Sequence, residues 1–253
     1  MTSPFRSRFR SIRGKLTFAA VAPLVLILLL VALAASYLIN ASIVDQTQKQ
    51  IHNDLSAARV VLNQEQQRLH EVVRFTARSR NLLTALSNND LPLLIEQLAQ
   101  VRQREQLDIL SMTDLRGNLL LNSTNPGVPA DAAFIQKTLE SGHYHGTVLF
   151  SETQLRRENL ALPEEARIYS PNNSEIPLER RGMMLIAAAR LTDYQGKTVG
   201  CLYGGIMLNN NLELIDRISE LVYGTDTFEG IAIGSATIFL DKLRIATTVR
   251  LKN

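Results

Sequence analysis

Leu16 to Ile39 is a run of 24 residues without a charged side chain, and it constrains the chain more than any other feature. At about 1.5 Å rise per residue, a helix of this length crosses a hydrocarbon core of roughly 30 Å. Arg6, Arg8, Arg10, Arg13 and Lys15 precede it with no acidic residue among them. The short flank richer in Lys and Arg stays cytoplasmic, so the spacing predicts a transmembrane helix over 16–39 with everything after it facing outward. Pro23 falls near the start of this helix, where it is tolerated, and Tyr37 falls at the far interface. The competing reading is a cleavable export signal, for which the basic flank, the apolar core and Ala32-Leu33-Ala34 are present. Such a core usually runs about 7 to 15 residues, whereas this one is longer and passes straight into a helical pattern. Under either reading the C-terminal bulk is exported.

The net charge of +3 belongs to the tail, because the first fifteen residues contribute +5 and leave −2 for residues 16–253. A nucleic-acid surface needs basic residues gathered on the folded part, so that class is set aside. The basic cluster suits contact with anionic lipid instead. The single cysteine, Cys201, excludes an internal disulfide and a thiolate metal cluster.

After the apolar run, Ile51, Leu55, Ala58, Leu62, Glu65, Leu69, Val72 and Thr76 recur at alternating steps of four and three, the spacing of a coiled-coil seam. This predicts an unbroken stalk helix over 40–86 whose stripe either covers its own domain or pairs two copies of the chain in parallel. Ser87-Asn88-Asn89-Asp90 breaks the helix, and Pro92 opens a second one through about Glu105. Leu107–Met112 and Leu119–Leu121, joined by a turn-rich segment, read as a hairpin. A helix over Ala130–Leu139 capped by Gly142, and a strand over Gly146–Phe150, follow. Residues 151–182 form a polar insertion with one short strand expected at Ala166–Tyr169. Met183–Leu191 and Thr198–Leu208 are apolar runs that suit central antiparallel strands buried on both faces. A helix over Asn209–Val222 and a second hairpin, Ala236–Leu240 with Leu243–Leu251, complete the chain. The second sheet stops at two strands, which predicts a truncated module.

This α+β order of parts resembles the extracytoplasmic Cache domain, a PAS-like antiparallel sheet of bacterial sensor histidine kinases and chemoreceptors. TDLRGNLLLNS from Thr113 resembles its first hairpin, and RGMMLIAAARLTDYQGKTVGCLYGGIMLNNNLELID from Arg181 resembles its last two strands and the helix after them. SATIFLDKLRIATTVRLKN from Ser235 is similar to the opening hairpin of a second, membrane-proximal module, so the resemblance is to a double Cache arrangement. The implied domains are a cytoplasmic tail (1–15), a span (16–39), a stalk (40–86), a membrane-distal module (87–223) and the truncated second module (224–253). The resemblance implies inner-membrane localisation, a small-molecule ligand and a homodimer through the stalk. It implies no cofactor and no enzymatic activity in this chain, any kinase domain lying in a longer parent. The alternative is a membrane-anchored scaffold that binds protein without a small-molecule pocket.

Arg190, a charge near the end of its apolar strand, and Tyr203, a hydroxyl within the next one, are candidates for fixing a ligand on the floor of a PAS-like pocket. Ala187, Ala188 and Ala189 would leave room above that floor, and an arginine there predicts a small organic anion. His143 and His145 share one side of a strand, as metal ligands can, but no third ligand lies near in sequence. Metal binding is therefore not expected, and His145 is retained as a ligand contact. His52 and His70 on the stalk read as solvated. Gly200, Gly204 and Gly205 form no phosphate loop, because neither a helix start nor a Lys-Ser or Lys-Thr pair follows them. No nucleophile elbow or catalytic triad order appears.

Overall fold

The computed structural model describes residues 12–121, 133–169, 177–224, 227–228, 231–232 and 234–249. The chain divides into two units, 1–55 and 56–253. Helix α1 (Ile12–Ala77) contains the whole predicted span and most of the stalk. Among the described residues no helix is long and apolar enough to cross a membrane. Within 16–39 the side chains of 23–31 and 33 are exposed.

The stalk is not unbroken to residue 86. It stops at Ala77, and Ser79 caps a separate α2 (Arg80–Ser87) by accepting a hydrogen bond from the Leu82 amide at 3.2 Å. Asp90 caps α3 (Leu91–Arg104) in the same manner through the Leu93 amide at 3.1 Å, with Pro92 in the first turn as its fixed φ predicts.

Two hairpins and a long return then build one sheet. β1 (Ile109–Thr113) and β2 (Leu119–Leu121) are joined by a turn in which Asp114 Oδ1 accepts from the amides of Arg116 and Asn118, both at 2.8 Å. After α4 (Ala133–Ser141), Gly142 at φ +92° turns the chain into β3 (His143–Phe150). The polar insertion holds two helices, α5 (Glu152–Glu158) and α6 (Leu162–Glu165), ahead of the strand expected at Ala166–Tyr169. The strand survives only as an isolated bridge between Ile168 and Glu179. β4 (Gly182–Thr192) and β5 (Thr198–Met207) pair antiparallel as anticipated. The five strands lie in the order β2-β1-β5-β4-β3.

Helix α7 (Leu212–Tyr223) follows, capped by Asn211. Short strands β6 (Thr227–Phe228) and β7 (Ile231–Ala232) precede the hairpin of β8 (Thr237–Leu240) and β9 (Leu243–Thr247), which turns at Asp241 with φ +55°.

Because side chains alternate along a strand, the sheet has two different faces. On one face Leu185, Ala187, Ala189, Leu202 and Ile206 form a single core with Leu69 and Val73 of α1, with α2, α3 and α7, and with the β8–β9 hairpin. Gly204 lets α1 approach, since a Cβ there would stand 3.1 Å from Val73 Cγ2. Among the described residues of α1, Val61, Glu65, Leu69, Val73 and Ala77 are buried. Glu65 accepts from Arg68 Nε at 2.9 Å and from Arg217 Nη2 of α7 at 3.1 Å. The stripe thus covers its own domain from Ala58 onward, which removes Leu69 and Glu65 from any interface between copies.

A cysteine at Leu69 in a Cys201→Ser background should therefore fail to crosslink in membranes. A cysteine at Leu55, which is exposed, is the position expected to crosslink if copies pair through the stalk. Crosslinking at both positions alike would count against this packing of α1.

Candidate functional site

The opposite face of the sheet is roofed by α4, α5 and α6. Ile109, Met184, Ile186, Ala188, Cys201, Tyr203 and Met207 point into a second core with Phe134 and Ile135 of α4, Phe150, and Leu155 and Leu162 of the insertion. Ser151 makes the roof possible by opening α5 with a reciprocal cap. Its hydroxyl accepts from the Gln154 amide at 3.3 Å while its own amide donates to Gln154 Oε1 at 2.8 Å. One turn further, this helix lowers Glu158 into the core.

Glu158 is the polar centre of this face. Ser111 Oγ donates to its Oε2 at 2.6 Å, and the Tyr203 hydroxyl donates to its Oε1. Burial pushes the Glu158 carboxyl above its ordinary range, against the pull of those two hydrogen bonds. Burial, and then the neighbouring Glu158, raise the Tyr203 phenol well above its usual value. The Cys201 thiol is pushed up to about 12 by burial, which makes it unreactive. Phe134 packs edge-on against Tyr203 with ring centroids 5.2 Å apart and stacks on Phe150 at 6.3 Å.

The three residues singled out from the sequence are not gathered here. Tyr203 is on this face, but it is 0% exposed and its hydroxyl is taken by Glu158. Arg190 shares the face, yet it is exposed at the strand end, where Nη1 donates to the Leu139 carbonyl at 3.3 Å. A cation at that place serves the C-terminal end of α4. His145 pairs with Ala187 and lies on the other face, its ring 5.3 Å from that of His70 on α1. The alanines do not line an open floor either. Ala187 and Ala189 seat α1, and Ala188 is fully buried beneath α4. Glu158 and Ser111 were missed. The Ser151–Gln154 spacing marks α5 in the sequence, but nothing there marks its last residue as buried. Among the described residues, no group of His, Cys, Asp and Glu is arranged to hold a metal ion.

A five-stranded antiparallel sheet with helices on both faces, entered by a long N-terminal helix, is a PAS-like fold. The chain is similar to the periplasmic domain of Vibrio cholerae LuxQ over 78% of each chain, with a TM-score of 0.50 and 16% identity. It also matches the sensor domain of Escherichia coli DcuS, at TM-score 0.37 and 13% identity over 66% of this chain and 98% of that one. The sensory domain of the Campylobacter jejuni chemoreceptor Tlp3 with isoleucine bound matches at TM-score 0.43 and 12% identity, over 79% of this chain and 68% of that one. At these identities the likeness is one of fold. No protein-family model and no curated protein matches the sequence.

Proposed function

We propose that the chain is the extracytoplasmic sensing region of a bacterial membrane signal-transduction receptor, a sensor kinase or a chemoreceptor, and is not itself an enzyme. The observation that carries this reading is the double use of α1. Its turns from Val61 to Ala77 close one face of the sensor sheet, and the same helix contains the apolar run Leu16–Ile39. On this reading the run is a single span of the inner membrane, the basic tail is cytoplasmic, and residues 224–253 open a second module. Two copies pair through the stalk on the N-terminal side of Ala58.

The input acts on the face roofed by α4, α5 and α6. A ligand biases signalling only by preferring one of two arrangements, so binding must shift how this roof, or α1 opposite it, rests on the sheet. A shift of the roof would uncover Glu158, now paired with Ser111 and Tyr203, as an acceptor for a small molecule carrying an ammonium or other donor group, and would not favour the organic anion that an inward Arg190 would have taken. A second reading has one observation in its favour. Phe134, Phe150 and Tyr203 fill the face, as suits a scaffold sensing a partner protein at its surface.

Two experiments test the proposal. A reporter active only in the cytoplasm, fused after Asn253, should be silent, and activity would reverse the orientation. A thermal-shift screen of small amines and amino acids against the full chain should give a stabilising hit that Glu158→Gln weakens about tenfold, the equivalent of 1.4 kcal/mol. Hits unaffected by the substitution would move the ligand away from this face, and a screen without hits would favour the scaffold.

A further inference from the structure

The fold brings together three histidines that lie far apart in the sequence. His70 of α1 faces His143 and His145 of the edge strand β3, with ring centroids 5.5 Å and 5.3 Å away, and the two strand histidines stack at 6.2 Å. His143 and His145 are exposed, whereas His70 is half-buried and its Nδ1 is sequestered without a hydrogen-bond partner among the described residues. The groups acting electrostatically on His70 are His145 and His143 from β3, with Arg74 and Glu71 from its own helix. β4 behind them contributes only Ala187 and Ala189, the register partners of His145 and His143.

We infer that His70, His143 and His145 form a proton-responsive latch between the stalk helix and the edge of the sensor sheet, giving the receptor acidification as an input separate from any ligand. While the three rings are neutral, His70 packs edge-on against the stacked strand pair and holds α1 against β3. Once protonated, each imidazolium faces the other two, with Arg74 adding to the repulsion and Glu71 alone opposing it. Separating α1 from β3 relieves that charge.

The direction of the effect follows from proton counting. Burial first, and then the two other histidines, lower the affinity of His70 for a proton in the packed state. A separated His70 takes up its proton near the ordinary value of about 6.5. The separated state therefore binds more protons, and the packed state loses stability as the pH falls below about 6.5. The latch stands on the packing alone, and its use as an input rests on the receptor reading.

The test is hydrogen exchange of the full chain in lipid nanodiscs at about pH 7.5 and about pH 5.5, corrected for intrinsic rates, with a chelator present. In the parent, protection of residues 61–77 and of β3 should fall about tenfold on acidification, the scale of two like-charge contacts at this spacing in a watery setting. H143Q/H145Q alters only exposed side chains and should lose less protection on acidification than the parent, keeping only the part due to the burial of His70. An equal acid response in that variant, or no response in the parent, overturns the latch. So does protection that responds to added zinc at constant pH and not to protons. If the variant is already poorly protected at neutral pH, histidine NMR of the parent decides, and a His70 signal titrating at or above the free-imidazole value sinks the inference. A reversed topology reporter would remove the receptor reading and leave these results standing.

Discussion

Gly200→Ala is expected to destabilise the unit that carries the five-stranded sheet by about 2–4 kcal/mol, a loss reserved for substitutions with no room to relax. A Cβ at that position would stand 1.9 Å from the backbone oxygen of Thr113, an atom that cannot rotate aside as a side chain can. The neighbouring pair, Cys201 with Thr113, is where β5 meets the end of β1, so the added methyl pushes apart the two strands that join the halves of the sheet. Gly196 supplies the comparison. It has φ +81°, and a Cβ there would have nothing within 4 Å, so alanine meets only conformational strain and should cost about 1 kcal/mol. Urea midpoints of the two variants give the contrast directly. A Gly200→Ala chain as stable as Gly196→Ala would mean that β1 does not dock on β5 as described.

The second large effect belongs to Glu158, and its sign depends on the replacement. Glu158→Ala strands the hydroxyls of Ser111 and Tyr203 in an apolar core at about 1–3 kcal/mol each, so a loss of about 3 kcal/mol or more is expected. Glu158→Gln keeps the shape and can still pair with both hydroxyls, since a hydroxyl accepts as well as donates. It should lie near the parent at mildly acidic pH and exceed it at neutral pH. Burial raises the carboxyl above its ordinary 4.5, so the folded chain keeps a proton that the unfolded chain releases. Stability from this group is therefore full below about 4.5 and declines as the pH rises towards the raised value. A parent and a Gln variant with parallel stability-against-pH curves would show that Glu158 is solvated.

What could be read from the sequence was whatever local chemistry decides. Asp90 before Pro92, the Asp114 turn, Gly142 after α4 and the pairing of β4 with β5 are all written within a few residues of where they act. Alternation within β4 also sets Ala188 and Arg190 on one face, and the short connection to β5 puts Tyr203 opposite Ala188. The side of the sheet that His145 occupies depends on its register with Ala187, 42 residues away, and that no local pattern encodes. The alanines of β4 misled for a related reason. A small side chain reads equally as space for a ligand or as a seat for a helix, and α1 had already taken the seat. The heptad stripe was similarly ambiguous, because the face that pairs helices also covers a sheet, and Arg217 from α7 was needed to show where Glu65 points.

The strand order has a consequence for how the molecule is made. β1 and β2 close on each other as soon as they emerge, and β3 waits only for β4, but the two pairs share no edge until β5 arrives between them. Ile109 finds its partner Gly205 only after nearly a hundred further residues have been synthesised. Such non-local pairing is slow, and until it forms each half presents an open strand edge to its surroundings. Pairing of the Leu202–Met207 stretch of β5 is thus the step expected to limit how fast the sheet closes, and refolding that slows when this strand is weakened would show it.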